Sequence, residues 1–189
     1  MKGWDDIWVV DSLLSKEECE QIRKVGDATE IEPGMVSGAE EPLNGYTARE
    51  CDVAWLYDDG LKNRFFEMCK SANQMYWGFD IDFFQNEAMQ YTTYKVGGVH
   101  RWHSDTGLSA TNPSYVRKLT IVAQLSEPHE YEGGEFMISE HPGNEFEIEE
   151  LKNQGTVMVM PSFIVHQVNE VTKGERRTLV GWIEGRRFK

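Results

Sequence analysis

From about residue 80 the chain changes character. Short runs rich in β-branched and aromatic residues alternate with Gly, Pro and Asn turns. Residues 88–94, 119–125, 134–138, 156–160, 164–168 and 176–183 read as strands. Many short strands between turns must bury their apolar faces on one another. That points to an all-β sandwich, barrel or jelly roll.

The preceding part reads differently. Residues 7–10 suit a short buried strand. Ser15 followed by Glu18 has capping-box spacing and predicts a helix ending near Gly26. Residues 27–48, rich in Glu, Gly, Pro and Asn, predict a long loop. After a strand at 53–57, Asp58 or Asp59 can cap a second helix. Its apolar stripe is Leu61, Phe65, Phe66, Cys69, Ala72 and Met75. There is no internal repeat. The expected class is α+β, mainly β, as one domain over 1–189, with a helical part at about 1–80 and a β core at about 81–187.

Composition narrows the function. A net charge of −13 repels phosphate backbones, which argues against nucleic acid as a partner. The 3 cysteines, Cys19, Cys51 and Cys69, form neither a zinc pattern nor a disulfide framework and read as buried thiols. No basic segment leads into an apolar signal core, and no apolar run is long enough to span a bilayer. The expectation is a cytoplasmic protein without a membrane partner.

The chemistry concentrates in a few positions. In an extended segment His103 and Asp105 point to one face and can converge on one ion. His166, in the strand at 164–168, is the best third donor. Two imidazoles and a carboxylate form the set that leaves octahedral iron with open positions. His-x-Asp alone is a weak signal, and an isolated His166 is more often an ordinary core or surface residue. Arg176 strengthens the case. It lies ten residues past His166, on a strand where it shares a face with Thr178 and Arg177 faces solvent. A buried guanidinium needs a partner, and a dicarboxylate co-substrate would supply one through a bidentate pair. The competing reading is two surface arginines on an edge strand.

Over roughly residues 85–187 these parts resemble the 2-oxoglutarate/Fe(II) oxygenases of the prolyl 4-hydroxylase type, including short bacterial and phage members. In the family's order come Tyr94 to Gly98, then His103-Ser104-Asp105, then Tyr131 to Phe136 with its Gly-Gly-Glu hairpin. Pro161-Ser162-Phe163 leads to His166. Val171 to Arg176 follows, and the series ends at Gly181-Trp182-Ile183.

The resemblance implies a double-stranded β-helix (jelly roll, cupin-like) with the N-terminal helices packed on one sheet. It implies that His103, Asp105 and His166 hold Fe(II) and that Arg176 binds the distal carboxylate of 2-oxoglutarate. Tyr94 and Gln124 fall where co-substrate contacts lie, and Thr178, on the same face as Arg176, can add a hydroxyl to the same carboxylate. O2 would be consumed, with ascorbate as a candidate reductant. The reaction implied is decarboxylation of 2-oxoglutarate to succinate and CO2, coupled to hydroxylation of a C–H bond, with peptidyl proline as the expected target. Two positions depart from the family: His100 stands where many relatives have Tyr, and Gln124 is not Tyr.

Val157, Val159 and Val168 are expected to line the pocket. Arg49 and Trp55 are expected to border it. The 27–48 loop, Trp102 and residues 106–115 are expected to cover a peptide groove. Three rivals stand beside this reading: a small-molecule hydroxylase, a non-catalytic jelly-roll metal-binding protein, and a zinc or manganese hydrolase. The last would have no need of Arg176.

Overall fold

A computed structural model of the protein describes residues 7–34, 48–85, 88–107 and 112–187. The first elements are β1 (Trp8–Val10), α1 (Lys16–Ala28), β2 (Glu32–Pro33), β3 (Arg49–Glu50), β4 (Asp52–Leu56) and α2 (Asp59–Tyr76). Next come β5 (Phe83–Phe84), β6 (Met89–Tyr94), β7 (Val99–His103), β8 (Tyr115–Gln124), β9 (Tyr131–Gly133) and β10 (Phe136–His141). The last are β11 (Asn144–Glu147), β12 (Val157–Pro161), β13 (Val165–Val168), β14 (Val171–Gly174) and β15 (Arg176–Arg186).

The larger sheet runs β1-β12-β8-β15-β6-β4-β2, with β5 also paired to β15. The smaller runs β11-β10-β13-β7-β3, and β14 pairs with β9 separately. All the pairings are antiparallel. The two larger sheets share an apolar layer. Tyr94, Val122, Met158 and Met160 come from one, and Phe136, Ile138 and Val168 from the other. This is the expected jelly roll.

A second layer lies between the larger sheet and the helices. It joins Leu14 and Cys19 to Phe65 and Cys69, and to Leu119, Ile121, Ala123, Val157, Val159, Leu179 and Ile183. Strand alternation divides the layers cleanly. Along β12, Val157 and Val159 face the helices while Met158 and Met160 face the other sheet. Val157 and Val159 therefore do not line the inter-sheet pocket. Every residue of β12 is apolar and buried, so the hydropathy pattern carries no phase. Val168 does face inward.

Ser15 caps α1 through the expected capping box with Glu18. The helix continues two residues past Gly26, where the Tyr91 ring lies against it. A Cβ at Gly26 would stand 2.6 Å from that ring, so glycine permits the close approach. Asp58 caps α2 by accepting from the Leu61 N–H. Phe65, Cys69 and Ala72 are buried, but Met75 is 72% exposed. The buried line passes instead to Asn73, whose amide bonds the backbone N–H and carbonyl of Phe79.

The segment expected as a 27–48 loop contains the end of α1 and β2, which pairs with β4. Residues 35–47 of it lie outside the described residues, as do 108–111 of the 106–115 stretch. The three cysteines are free, with Cys19 and Cys69 buried. Among the described residues, no helix is long and apolar enough to cross a membrane.

Candidate active site

β7 and β13 are neighbours in the smaller sheet, and His103 lies directly opposite His166. Asp105 follows the end of β7, and its backbone N–H donates to the Ser162 carbonyl at 2.8 Å. One donor atom from each of His103, Asp105 and His166 lies within 4.8 Å of the others. Both imidazole Nε2 atoms face the carboxylate, each at 3.6 Å.

The opposite edges of the rings are tied back. His103 Nδ1 lies 2.7 Å from the Arg101 carbonyl, and His166 Nδ1 lies 2.9 Å from the Ile164 carbonyl. A carbonyl accepts only from N–H, so each Nδ1 carries the proton and each Nε2 keeps its lone pair inward. The Thr120 hydroxyl donates to Asp105 Oδ2 at 2.9 Å and lies 3.0 Å from the Ser162 hydroxyl.

Electrostatics favours the ligand state of these groups. Burial, helped by the neighbouring His166 ring, pushes His103 down to about 4, so its imidazole is neutral at neutral pH. Burial would raise Asp105. The His166 and His103 rings outweigh it and hold the carboxyl below its ordinary value.

His100 packs against this cluster without being one of its three donors. The register of β7 against β13 shifts between the His103–His166 and His100–Val168 pairs. This bulge turns His100 and His103, three positions apart, to one side. Their rings stack at 3.6 Å. Burial, then the neighbouring His103 ring, forces the His100 pKa far below its ordinary value.

Arg176, Thr178, Tyr94 and Gln124 meet at one end of the larger sheet. Arg176 pairs with Tyr94, and Thr178 pairs with both Thr92 and Gln124. Arg176 is 1% exposed, yet its Nε and Nη2 have no hydrogen-bond partner. Its Cζ lies 5.8 Å from the Tyr94 ring centroid. Burial pushes the Tyr94 hydroxyl up to about 12, which keeps it a neutral donor. Gln124 gives its NH2 to the Ser126 carbonyl and the Tyr131 hydroxyl, leaving Oε1 without a partner.

Other expectations fare differently. Arg49 sits opposite His100 on β3, with its Nε donating to Cys51 Sγ at 3.1 Å. The Trp55 indole donates to Glu32 at 2.8 Å. Arg177 is not left to solvent. Its Nε donates to Asp27 of α1 at 3.1 Å and its Nη2 to Glu175 at 2.5 Å. Trp102 is 41% exposed. Sequence reasoning missed Thr120 and Ser162, since a lone hydroxyl carries no mark of what it will support.

Chemically, two imidazoles and one carboxylate suit a divalent iron with positions left open. The orphaned Arg176 guanidinium suits a carboxylate, which would accept two parallel N–H bonds. The residues present therefore fit both iron(II) and 2-oxoglutarate.

The comparisons agree with this chemistry. Residues 89–184 match the family described as the 2OG-Fe(II) oxygenase superfamily. A PKHD-type hydroxylase of Prochlorococcus marinus (strain MIT 9211) is 35% identical over 185 residues, covering 93% of this chain and 77% of that protein. Among solved structures, a Pseudomonas putida prolyl-4-hydroxylase superposes with a TM-score of 0.70 at 21% identity, covering 97% of this chain and 94% of the other. A Trichoplax adhaerens prolyl hydroxylase, in complex with a hypoxia inducible factor peptide fragment, gives 0.72 at 14% identity, covering 95% and 83%. At these identities the structures establish the shared fold. The chain belongs to the 2OG-Fe(II) oxygenase superfamily and is an enzyme of its prolyl hydroxylase-like, PKHD type.

Proposed function

We propose that the protein hydroxylates a prolyl residue in a peptide or protein, as one cytoplasmic catalytic domain over 1–189. His103, Asp105 and His166 would hold iron(II), and Arg176 would hold the distal carboxylate of 2-oxoglutarate. The observation that carries this reading is the buried Arg176, with two unpartnered nitrogens, in the same inter-sheet space as the His-Asp-His donor set. When bound, the metal and co-substrate supply oxidation of a C–H bond at the expense of 2-oxoglutarate and O2.

The chain's own residues do the positioning. The Arg101 and Ile164 carbonyls aim the two Nε2 lone pairs inward. Thr120 fixes Asp105, and Thr178 offers a hydroxyl beside Arg176. Phe136 stacks on His166 at 5.3 Å and, with Met158 and Met160, helps exclude water. Ascorbate would serve only to return the iron to its divalent state. The peptide target is supported by the fold shared with a prolyl hydroxylase solved with a peptide.

The test is succinate formation from 2-oxoglutarate by iron(II)-loaded protein exposed to O2, for wild type and Arg176→Ala, followed by mass spectrometry of proline-containing peptides. Succinate from wild type, lost in the variant, is expected. No succinate and no iron-dependent 2-oxoglutarate binding would sink the reading. Oxygen added to a free amino acid and to no peptide would move it to a small-molecule hydroxylase.

A further inference from the structure

Glu184 is 1% exposed, and neither carboxylate oxygen has a hydrogen-bond partner. Burying a carboxyl with its acceptor sites empty is costly, so such a group calls for an explanation. Its position supplies one. Arg176, Thr178 and Trp182 alternate on β15; the register against β8 shifts between Ile183 and Glu184, and Glu184 stands opposite Arg117, whose guanidinium lies on Trp182. Arg176 stands at the co-substrate end of that row. Glu184 stands eight residues further, roughly 26 Å along an extended strand. The metal-ligand cluster lies between them, since Thr120, the partner of Trp182 on β8, donates to Asp105.

The neighbours of Glu184 are organised but do not use it. Arg117 lies directly opposite on β8. Its Nε donates to Gln85 Oε1 at 2.6 Å, and its guanidinium stacks on Trp182 at 3.9 Å. Arg117 is thus oriented toward Gln85 and Trp182, and forms no ion pair with Glu184. The result is a buried carboxyl whose neighbours leave its oxygens unfilled, in the part of the site opposite the co-substrate clamp.

We propose that Glu184 reads the substrate by accepting the cationic end of a basic side chain, lysine or arginine, on the peptide. The inference rests on the oxygenase reading of the site. A long side chain with a terminal charge can meet a carboxyl that is 1% exposed without burying the peptide backbone. A carboxylate with four vacant lone pairs suits an ammonium or a guanidinium fork. The net charge of −13 draws cationic peptides toward the protein and repels acidic ones.

The experiment uses fluorescent peptides that carry one proline and, at each flanking position in turn, arginine, lysine, citrulline, norleucine or glutamate. Their binding is read by anisotropy, without O2, on protein loaded with iron(II) and 2-oxoglutarate. Arginine or lysine at one position is expected to bind about tenfold more tightly than citrulline or norleucine there, the scale of one charge-assisted contact. Glu184→Gln should erase the difference, and Glu184→Asp should keep a weakened preference in the same direction.

Equal binding of charged and neutral peptides overturns the proposal. So does a preference that survives Glu184→Gln, or the absence of binding by any basic peptide. A variant that weakens all peptides equally and lowers Tm would make Glu184 merely a counter-charge for Arg117, which also overturns it. Iron-dependent 2-oxoglutarate binding, measured on the same samples, separates the two failures: present without a cation preference, it sinks only the role of Glu184; absent, it sinks the oxygenase reading beneath.

Discussion

At Gly134 the backbone has φ +67°, and a Cβ there would stand 3.0 Å from Arg176 Cδ and 3.0 Å from Val171 Cγ2. The Gly-Gly hairpin thus leaves room for the Arg176 stem. Gly134→Ala should cost about 1–2 kcal/mol for the left-handed backbone alone. It should also displace Arg176 and weaken 2-oxoglutarate binding, which calorimetric titration would measure. Unchanged affinity with lowered Tm would mean that Arg176 is not the anchor. Thr120→Val probes the metal end, because it removes the hydroxyl that donates to Asp105. Loss of such an outer hydrogen bond should lower iron(II) affinity by roughly 10–100-fold. Equilibrium dialysis showing full affinity would count against Asp105 as a ligand held in this way.

Among the elements, α1 does more than cover the larger sheet. Arg23 makes two bonds to the Glu130 carboxylate at 2.9 and 2.8 Å, and Lys16 pairs with Glu127 at 2.7 Å. Glu130 also accepts from the Glu127 N–H. The loop so held leads into β9 and the hairpin beside Arg176. Arg23→Ala should therefore destabilise the fold by about 1 kcal/mol, the worth of a half-buried bidentate pair. Burial would raise the Glu130 pKa, but Arg23 and the Glu127 N–H outweigh it and lower it. A depressed carboxyl stabilises the folded state above its unfolded pKa and loses that contribution as pH falls through the folded value. The stability gap between wild type and variant should be full at pH 7 and close below about pH 4. A gap unchanged in urea melts down to pH 3 would show that packing of the Arg23 stem, not the ion pair, is responsible.

For the whole molecule, the two cores have separate duties. The layer under the helices holds the larger sheet in shape, and the layer between the sheets surrounds the site. Val159 and Met160 are adjacent in sequence, fully buried, and on opposite sides of that sheet. Val159→Ala and Met160→Ala should each cost about 2–4 kcal/mol in denaturant melts. Only Met160→Ala should also weaken iron-dependent 2-oxoglutarate binding, since its cavity opens beside Thr120, its partner on β8. Equal loss of affinity in both would show that the cores do not act independently.

The sequence by itself determined what depends on near neighbours. The capping box of α1 and the aspartate cap of α2, the strand runs, His103 with Asp105 and Arg176 with Thr178 are all readable, because dihedral preferences and the two-residue period act within a few positions. The tertiary structure decided everything that needs a phase or a partner. Nothing in Val157 to Met160 says which side faces the site, because both faces are apolar and a one-residue shift exchanges them. Only the pairing of β12 with β8 sets that phase. The bulge that stacks His100 on His103 arises from the register of β7 against β13, which no single strand encodes. Glu184 is an ordinary glutamate in a strand until the sheets close over it and leave its oxygens without a donor. Local geometry is written along the chain, whereas burial and orphaned charge exist only once distant strands have met.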